Sequence, residues 1–264
     1  MIPTPPVVLA IAGSDPGGGA GIQADLKTFA DHGVFGCAAL TALTVQGPRG
    51  VRAVHPVAPQ VVYDQVVAVL EELPIAAIKI GMLGEVGVVR AVHRALVGRA
   101  PETPVVLDPV LGASRGAALL DGAGLAALVG ELLGEVTLLT PNLPEHARLD
   151  VACGGLAQRC RDLGVAVLLK GGHGAGGLLE DRLLLPDGRT RAFAHPRVGT
   201  ATHGTGCALS SAIAARLALG DSLEIAVEGA IGWLQGVLAA GAGWGLGPAL
   251  PIGYSHPSLK ITGR

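Results

Sequence analysis

The spacing of apolar and polar positions divides this chain into alternating strands and helices. Residues 7–12, 75–80, 105–107, 136–139 and 165–169 are short, almost unbroken apolar runs. Runs of that length without polar alternation predict strands buried on both faces. Residues 35–43 are also strand-like. Helices are predicted over 22–32, 59–73, 85–97, 125–133 and 156–163. Gly33 closes the first of these, Pro59 opens the second and Pro74 follows it, in keeping with the places glycine and proline take at helix ends. Pro186-Asp-Gly-Arg189, between 183–185 and 190–193, predicts a hairpin. Two more helices, 207–219 and 223–240, meet at Gly220-Asp221, and an irregular tail begins at Gly241. Strands alternating with helices imply an α/β fold, a mostly parallel central sheet with helices on both faces. No internal repeat or linker divides the 264 residues, so a single domain over 1–264 is expected.

Ligands of such sheets bind beyond the carboxyl ends of the strands. The polar and glycine-rich residues collect at those ends: 13–21, Gln46-Gly47, Gly81-Met82, Asp108-Pro109, Asn142 to Glu145, and Lys170 to His173. Turns account for the glycines, but not for carboxylates and a lysine ending the same strands.

Composition narrows the partners. Charged residues are 15% of the chain and the net charge is −2, with no basic stripe, which argues against nucleic acid or an anionic membrane. No apolar run reaches the roughly 18–20 residues that span a bilayer, and the start, Met1-Ile-Pro-Thr-Pro-Pro6, lacks the basic stretch of a secretory leader. Four scattered cysteines show no metal-ligand spacing, so the reducing cytoplasm is the expected location. Only four of the 19 basic residues are lysines, Lys27, Lys79, Lys170 and Lys260. A lysine kept inside an apolar run therefore points to a physical reason for excluding arginine.

Three motifs compete for the chemistry. Gly172-x-Gly174-x-x-Gly177 matches a dinucleotide fingerprint, but a strand-like segment follows where a helix N-terminus is needed. Gly112-Ala-Ser114-Arg-Gly116 matches the nucleophile elbow of serine hydrolases, with Asp181 and His203 following in order, yet residues 109–111 separate it from its strand. The third segment runs from Thr202 to Ala215. Here Gly204 and Gly206 open a helix of small residues, and free amides at a helix start attract anionic oxygens. Such a hole suits a phosphoryl group in transfer. Two readings of Cys207 stand: a thiol whose pKa the helix start lowers, or a small buried hydrophobe.

Seven stretches together resemble one family. They are Ala10-Ile-Ala-Gly-Ser-Asp-Pro-Gly-Gly-Gly-Ala-Gly-Ile-Gln-Ala-Asp-Leu-Lys-Thr-Phe29, Ala42-Leu-Thr-Val-Gln46, Lys79-Ile-Gly-Met82, Asp108-Pro-Val110, Thr140-Pro-Asn-Leu-Pro-Glu145, Leu169-Lys-Gly-Gly-His173 and the segment from Thr202 to Ala215. In this order they resemble the hydroxymethylpyrimidine/phosphomethylpyrimidine kinases of thiamine biosynthesis, within the ribokinase-like superfamily.

The resemblance implies a ribokinase-like fold, ATP and Mg²⁺ as cofactors, a small pyrimidine alcohol as substrate, and a homodimer. It implies that Gly13, Asp25, Val45, Gln46, Met82 and Val110 bind the pyrimidine. Lys170, Asn142 and Glu145 would serve the nucleotide, and Asp108 and Glu145 the metal, mostly through water. Gly204, Thr205 and Gly206 would form the anion hole, with Lys170 and Cys207 also catalytic. Plainer readings stand beside these: Asp108 as a turn residue, Asn142 and Glu145 as a capping box, and Asp25 as an exposed helix residue. The chain departs from the family at Ser114-Arg115, where a lysine is usual, and at Ala201, where asparagine is. Both changes bear on the second phosphorylation. Pyridoxine-type kinases are the nearest alternative, the serine hydrolase a more distant one, and a binding module without turnover another.

Overall fold

The computed structural model describes residues 4–47, 50–112, 119–171, 177–198 and 204–241. Its elements are β1 (Val7–Ser14), α1 (Gly21–Asp31), β2 (Phe35–Gly47), β3 (Gly50–Pro56), α2 (Pro59–Glu72), β4 (Ile75–Ile80), α3 (Val86–Leu96) and β5 (Val105–Leu107). There follow α4 (Gly122–Gly130), a 3₁₀ turn (Leu132–Glu135), β6 (Leu138–Leu139), α5 (Leu143–Cys153), α6 (Leu156–Leu163) and β7 (Ala166–Leu169). The hairpin β8 (Leu178–Leu184) and β9 (Thr190–Pro196) precedes α7 (Thr205–Ala218) and α8 (Leu223–Gly241).

Among the described residues all nine strands join one sheet, ordered β3-β2-β1-β4-β5-β6-β7-β8-β9. The six from β2 to β7 are parallel, while β3, β8 and β9 pair antiparallel. The chain runs from β1 outward to β2 and then returns to place β4 on the other side of β1. This reversal opens a crevice at the strand ends, where open α/β sheets bind ligands.

The two-residue strand period divides the core. Leu9, Ile11, Ile78, Ile80 and Leu107 pack toward α2 to α6, whereas Val8, Ala10, Ala77 and Val106 pack toward α1, α7 and α8. Small side chains gather on the second face, among them Ala10, Ala77, Ala208 and Ala212. They let α7 lie close against the sheet. Lys79 follows the same alternation, so its side chain leaves β4 on the α7 side and is fully buried.

Several expectations need amending. The sheet's outer hairpin, the end of β2 with β3, is absent from the sequence reading because Leu43 and Val45 are half-exposed there and the edge shows no clean apolar pattern. The helix predicted over 125–133 ends at Gly130 and gives way to the 3₁₀ turn. Helix α5 starts inside the proline-containing segment read as a strand-closing loop. Pro144 is accommodated in its first turn, where its missing N–H has no partner to lose. One segment, Leu223–Ala240, is also long and apolar enough to cross a membrane by length and composition, contrary to expectation. In this fold it is α8, with Ala226, Val227, Ala230, Ile231 and Val237 packed into the core. All four cysteines are free thiols. The tail from residue 242 lies outside the described residues, as do Ser114, Arg115, Ala201 and His203.

Candidate active site

The glycine loop after β1 is tied down by Asp15. Its carboxylate accepts the amides of Gly17 at 2.8 Å, Gly19 at 3.2 Å and Ala20 at 2.9 Å. Gln23 on α1 braces the other side, accepting from the Asp15 amide and donating to Ser14 Oγ, each at 2.8 Å. The loop is thereby held against the start of α7. Gly204, the N-cap of α7, has φ +85°, and a Cβ there would sit 1.7 Å from the Gly19 carbonyl oxygen. Only glycine fits this contact.

Amides in the first turn of α7 have no acceptor within their own helix, and two charged residues lie beside them. A Cβ on Gly206 would stand 3.2 Å from Lys170 Nζ and 3.4 Å from Asp108 Oδ2. Lys170 follows β7 and Asp108 follows β5; they form an ion pair at 2.8 Å with little exposure. Burial works against the Lys170 charge, but Asp108 and Glu145 together hold it above the usual lysine range. Next to them α5 begins in a full capping box: Asn142 donates its amide to Glu145 Oε2 at 2.8 Å, and Glu145 donates its own to Asn142 Oδ1 at 2.9 Å. The capping reading of these two residues therefore holds, and it also sets Glu145 at the cavity edge. Burial pushes the Glu145 carboxyl up to about 7, and the nearby Asp108 charge adds to this while Lys170 offsets it. Two crowded carboxyls of this kind fit a hard divalent cation. Among the described residues no group of three potential ligands could hold a metal alone, so the other ligands would come from phosphate oxygens and water.

These residues line one cavity of about 730 Å³. Gly13, Gln46, Met82 and Val110 sit at one end with Thr44, whose hydroxyl donates to the Ser14 carbonyl at 2.7 Å. Asp108, Glu145, Lys170 and Gly204 to Cys207 line the middle. Leu179, His195, Leu209, Leu234 and Gln235 line the far end.

Two residues expected to bind the pyrimidine fall outside the lining. Val45 turns away from the cavity between Thr44 and Gln46, at 38% exposure. Asp25 is neither exposed nor in the wall. It is wholly buried and accepts both contacts of Lys79, at 2.8 and 2.9 Å, and the Ser211 hydroxyl at 2.8 Å. That pair clamps α1, β4 and α7 together, with Lys79 in the cavity wall.

The lowered pKa read for Cys207 is reversed. Burial pushes the thiol up to about 11; Lys79 draws it down, but the Asp108 and Asp25 carboxylates oppose that. Helix-start polarity is weaker here than loss of water.

Sequence reasoning missed Asp15 as an organiser, Arg148 at the cavity wall and the Asp181–His195–Gln235 chain. Asp181, read as a possible hydrolase partner, instead accepts the Gly171 amide at 2.7 Å and pairs with His195 at 3.2 Å.

Comparison with known proteins then decides the family. Residues 15–251 match the phosphomethylpyrimidine kinase family. The chain belongs to it. A hydroxymethylpyrimidine/phosphomethylpyrimidine kinase of Haemophilus influenzae is 40% identical over 263 residues, covering 94% of this chain and 97% of the relative. The thiamine biosynthesis multifunctional protein ThiED of Corynebacterium efficiens is 41% identical over 271 residues, and this chain spans 36% of its length. An ADP complex of Bacillus subtilis pyridoxal kinase superposes with a TM-score of 0.79 at 28% identity, over 89% of this chain and 92% of that one. This family membership confirms the ribokinase-like architecture and sets aside the serine hydrolase and the binding module.

Proposed function

We propose that this chain, acting as one domain, phosphorylates 4-amino-5-hydroxymethyl-2-methylpyrimidine with ATP in thiamine biosynthesis, and then phosphorylates the monophosphate. The observation that carries the reading is the crevice itself. A polar-edged pocket for a small ring lies at one end, an anion hole with a buried cation in the middle, and at the other a wall of leucines with Asp181, His195, Arg197 and Gln235.

Gln46 suits an aminopyrimidine edge, because one amide both donates and accepts. Met82 and Val110 pack against the ring and keep water from the hydroxymethyl group. At the centre, Lys170 and the amides of Thr205, Gly206 and Cys207 meet the charge that develops on the transferring phosphoryl oxygens. They are fixed beforehand, so little reorganisation is needed. Asp108 and Glu145 would hold Mg²⁺, which when bound supplies further positive charge to the phosphates. Cys207 stands where the alcohol loses its proton. Since its thiol is held near 11, the thiolate fraction rises with pH across the neutral range, and the first phosphorylation should accelerate with it. The monophosphate brings an oxygen that is already ionised, so the second step needs no such base. We assign the chain to the cytoplasm, and to a homodimer as the resemblance implies.

Pyridoxal phosphorylation is the second reading, favoured by the structural match to a pyridoxal kinase. A single-turnover assay with Mg-ATP tests both, offering the pyrimidine alcohol, its monophosphate and pyridoxal in turn and reading ADP and product mass. The pyrimidines are expected to react fastest; faster turnover of pyridoxal would overturn the assignment. In the same assay Cys207→Ala should slow the first phosphorylation by about a hundredfold and the second far less. Equal losses in the two steps would remove the base role.

A further inference from the structure

One cation of the cavity wall has a place that the first phosphorylation does not call on. Arg148 lies on α5 three positions after Glu145, a spacing that puts both on one helix face. It is exposed, and its guanidinium donates to the Leu111 carbonyl at 3.2 Å. That carbonyl also accepts the Leu119 amide at 3.1 Å, so it would stay satisfied without the arginine. Two other cations of the wall are committed, Lys79 to Asp25 and Lys170 to Asp108. Arg148 has no carboxylate within ion-pair distance among the described residues. Most donors of its planar fork are therefore unspent.

The neighbours of Arg148 bracket the space between the two reactants. Leu111 directly follows Val110, which lines the pyrimidine end. Glu145 belongs to the phosphoryl centre. Burial and the Asp108 charge push its carboxyl up, and Arg148 is near enough to join Lys170 in drawing it down. The alcohol brings no charge into that space. The monophosphate brings a phosphate of about −1.5 to −2 near neutral pH, set between its ring and the terminal phosphate of ATP. Two anions must then approach each other, and their repulsion opposes the second transfer unless a cation stands beside them. A guanidinium suits that task, because its fork matches phosphate oxygens. We infer that Arg148 binds the phosphate carried in by the monophosphate and is a specificity determinant for the second phosphorylation. This rests on the kinase reading above.

The test measures kcat/KM for the monophosphate and for the alcohol at saturating Mg-ATP, in the unmodified chain, Arg148→Met and Arg148→Lys. Arg148→Met is expected to lower the ratio of monophosphate to alcohol by about tenfold or more, the scale of one charge-assisted contact, mainly through KM. Arg148→Lys keeps the charge and loses the fork, so its ratio should fall between the other two. Each ratio is taken within one preparation, so a loss of folded protein does not affect it. A ratio that Arg148→Met leaves unchanged overturns the inference, whether both substrates keep their rates or lose them equally. Equal losses would assign the arginine to the nucleotide or to the fold. Failure of the unmodified chain with both substrates would instead contradict the kinase reading.

Discussion

Gly204→Ala is expected to cut kcat by about a hundredfold or more, the scale of loss when reacting groups are misplaced by about an ångström. Two features of the position combine. Its φ of +85° is one that alanine adopts only with strain, and the added carbon would lie 1.7 Å from the Gly19 carbonyl oxygen. Backbone stands on both sides of that clash, so no side chain can swing aside. Either the glycine loop or the start of α7 must move, and with it the amides facing the phosphate. Gly232→Ala is the control. That glycine lies in α8 with nothing within 4 Å of a new Cβ, so activity should persist and stability rise by about 1 kcal/mol. Steady-state kinetics with the pyrimidine alcohol read the difference. Near-normal turnover by Gly204→Ala would mean that α7 does not set the geometry of transfer.

Asp25→Ala should destabilise the fold by about 3–5 kcal/mol, the range for removing one partner of a buried ion pair. Both side chains have 0% exposure, and Lys79 would be left charged without its buried partner. The Asp108 carboxylate would still attract the stranded ammonium and offset part of this loss. Removing both charges, as Asp25→Leu with Lys79→Met, should recover most of the loss, because the desolvation cost disappears with the pair. Urea unfolding of the three proteins gives the comparison. An Asp25→Ala chain as stable as the parent would show that water reaches Lys79 through the cavity.

The inner fold could be read from the sequence because its strands are buried on both faces, so apolar runs mark them without ambiguity. The hairpin of β8 and β9 was visible for another reason, the turn at Pro186-Asp-Gly-Arg189 between apolar segments. The outer hairpin of β2 and β3 lacked both signals. In the site, Gly13, Gln46, Met82, Asp108, Glu145, Lys170 and Gly204 to Cys207 converge on one cavity, because strand ends bring distant residues to one edge. Asp25 and Lys79 are 54 positions apart, and nothing local reveals that they pair. The one trace was a lysine inside an apolar run of a lysine-poor chain. Position at a helix start gave the wrong direction for Cys207, since the pKa depends on the water that the surrounding fold excludes. The Asp181–His195–Gln235 chain joins three elements and has no sequence signature.

The central claim is that the first-turn amides of α7 hold the phosphoryl group during transfer. A crystal structure with a nonhydrolysable ATP analogue and the pyrimidine alcohol measures this directly. Terminal phosphate oxygens are expected about 2.7–3.1 Å from the amide nitrogens of Thr205, Gly206 and Cys207, with the alcohol oxygen in line behind them. A terminal phosphate bound away from those amides, with the alcohol in its pocket, would contradict the account.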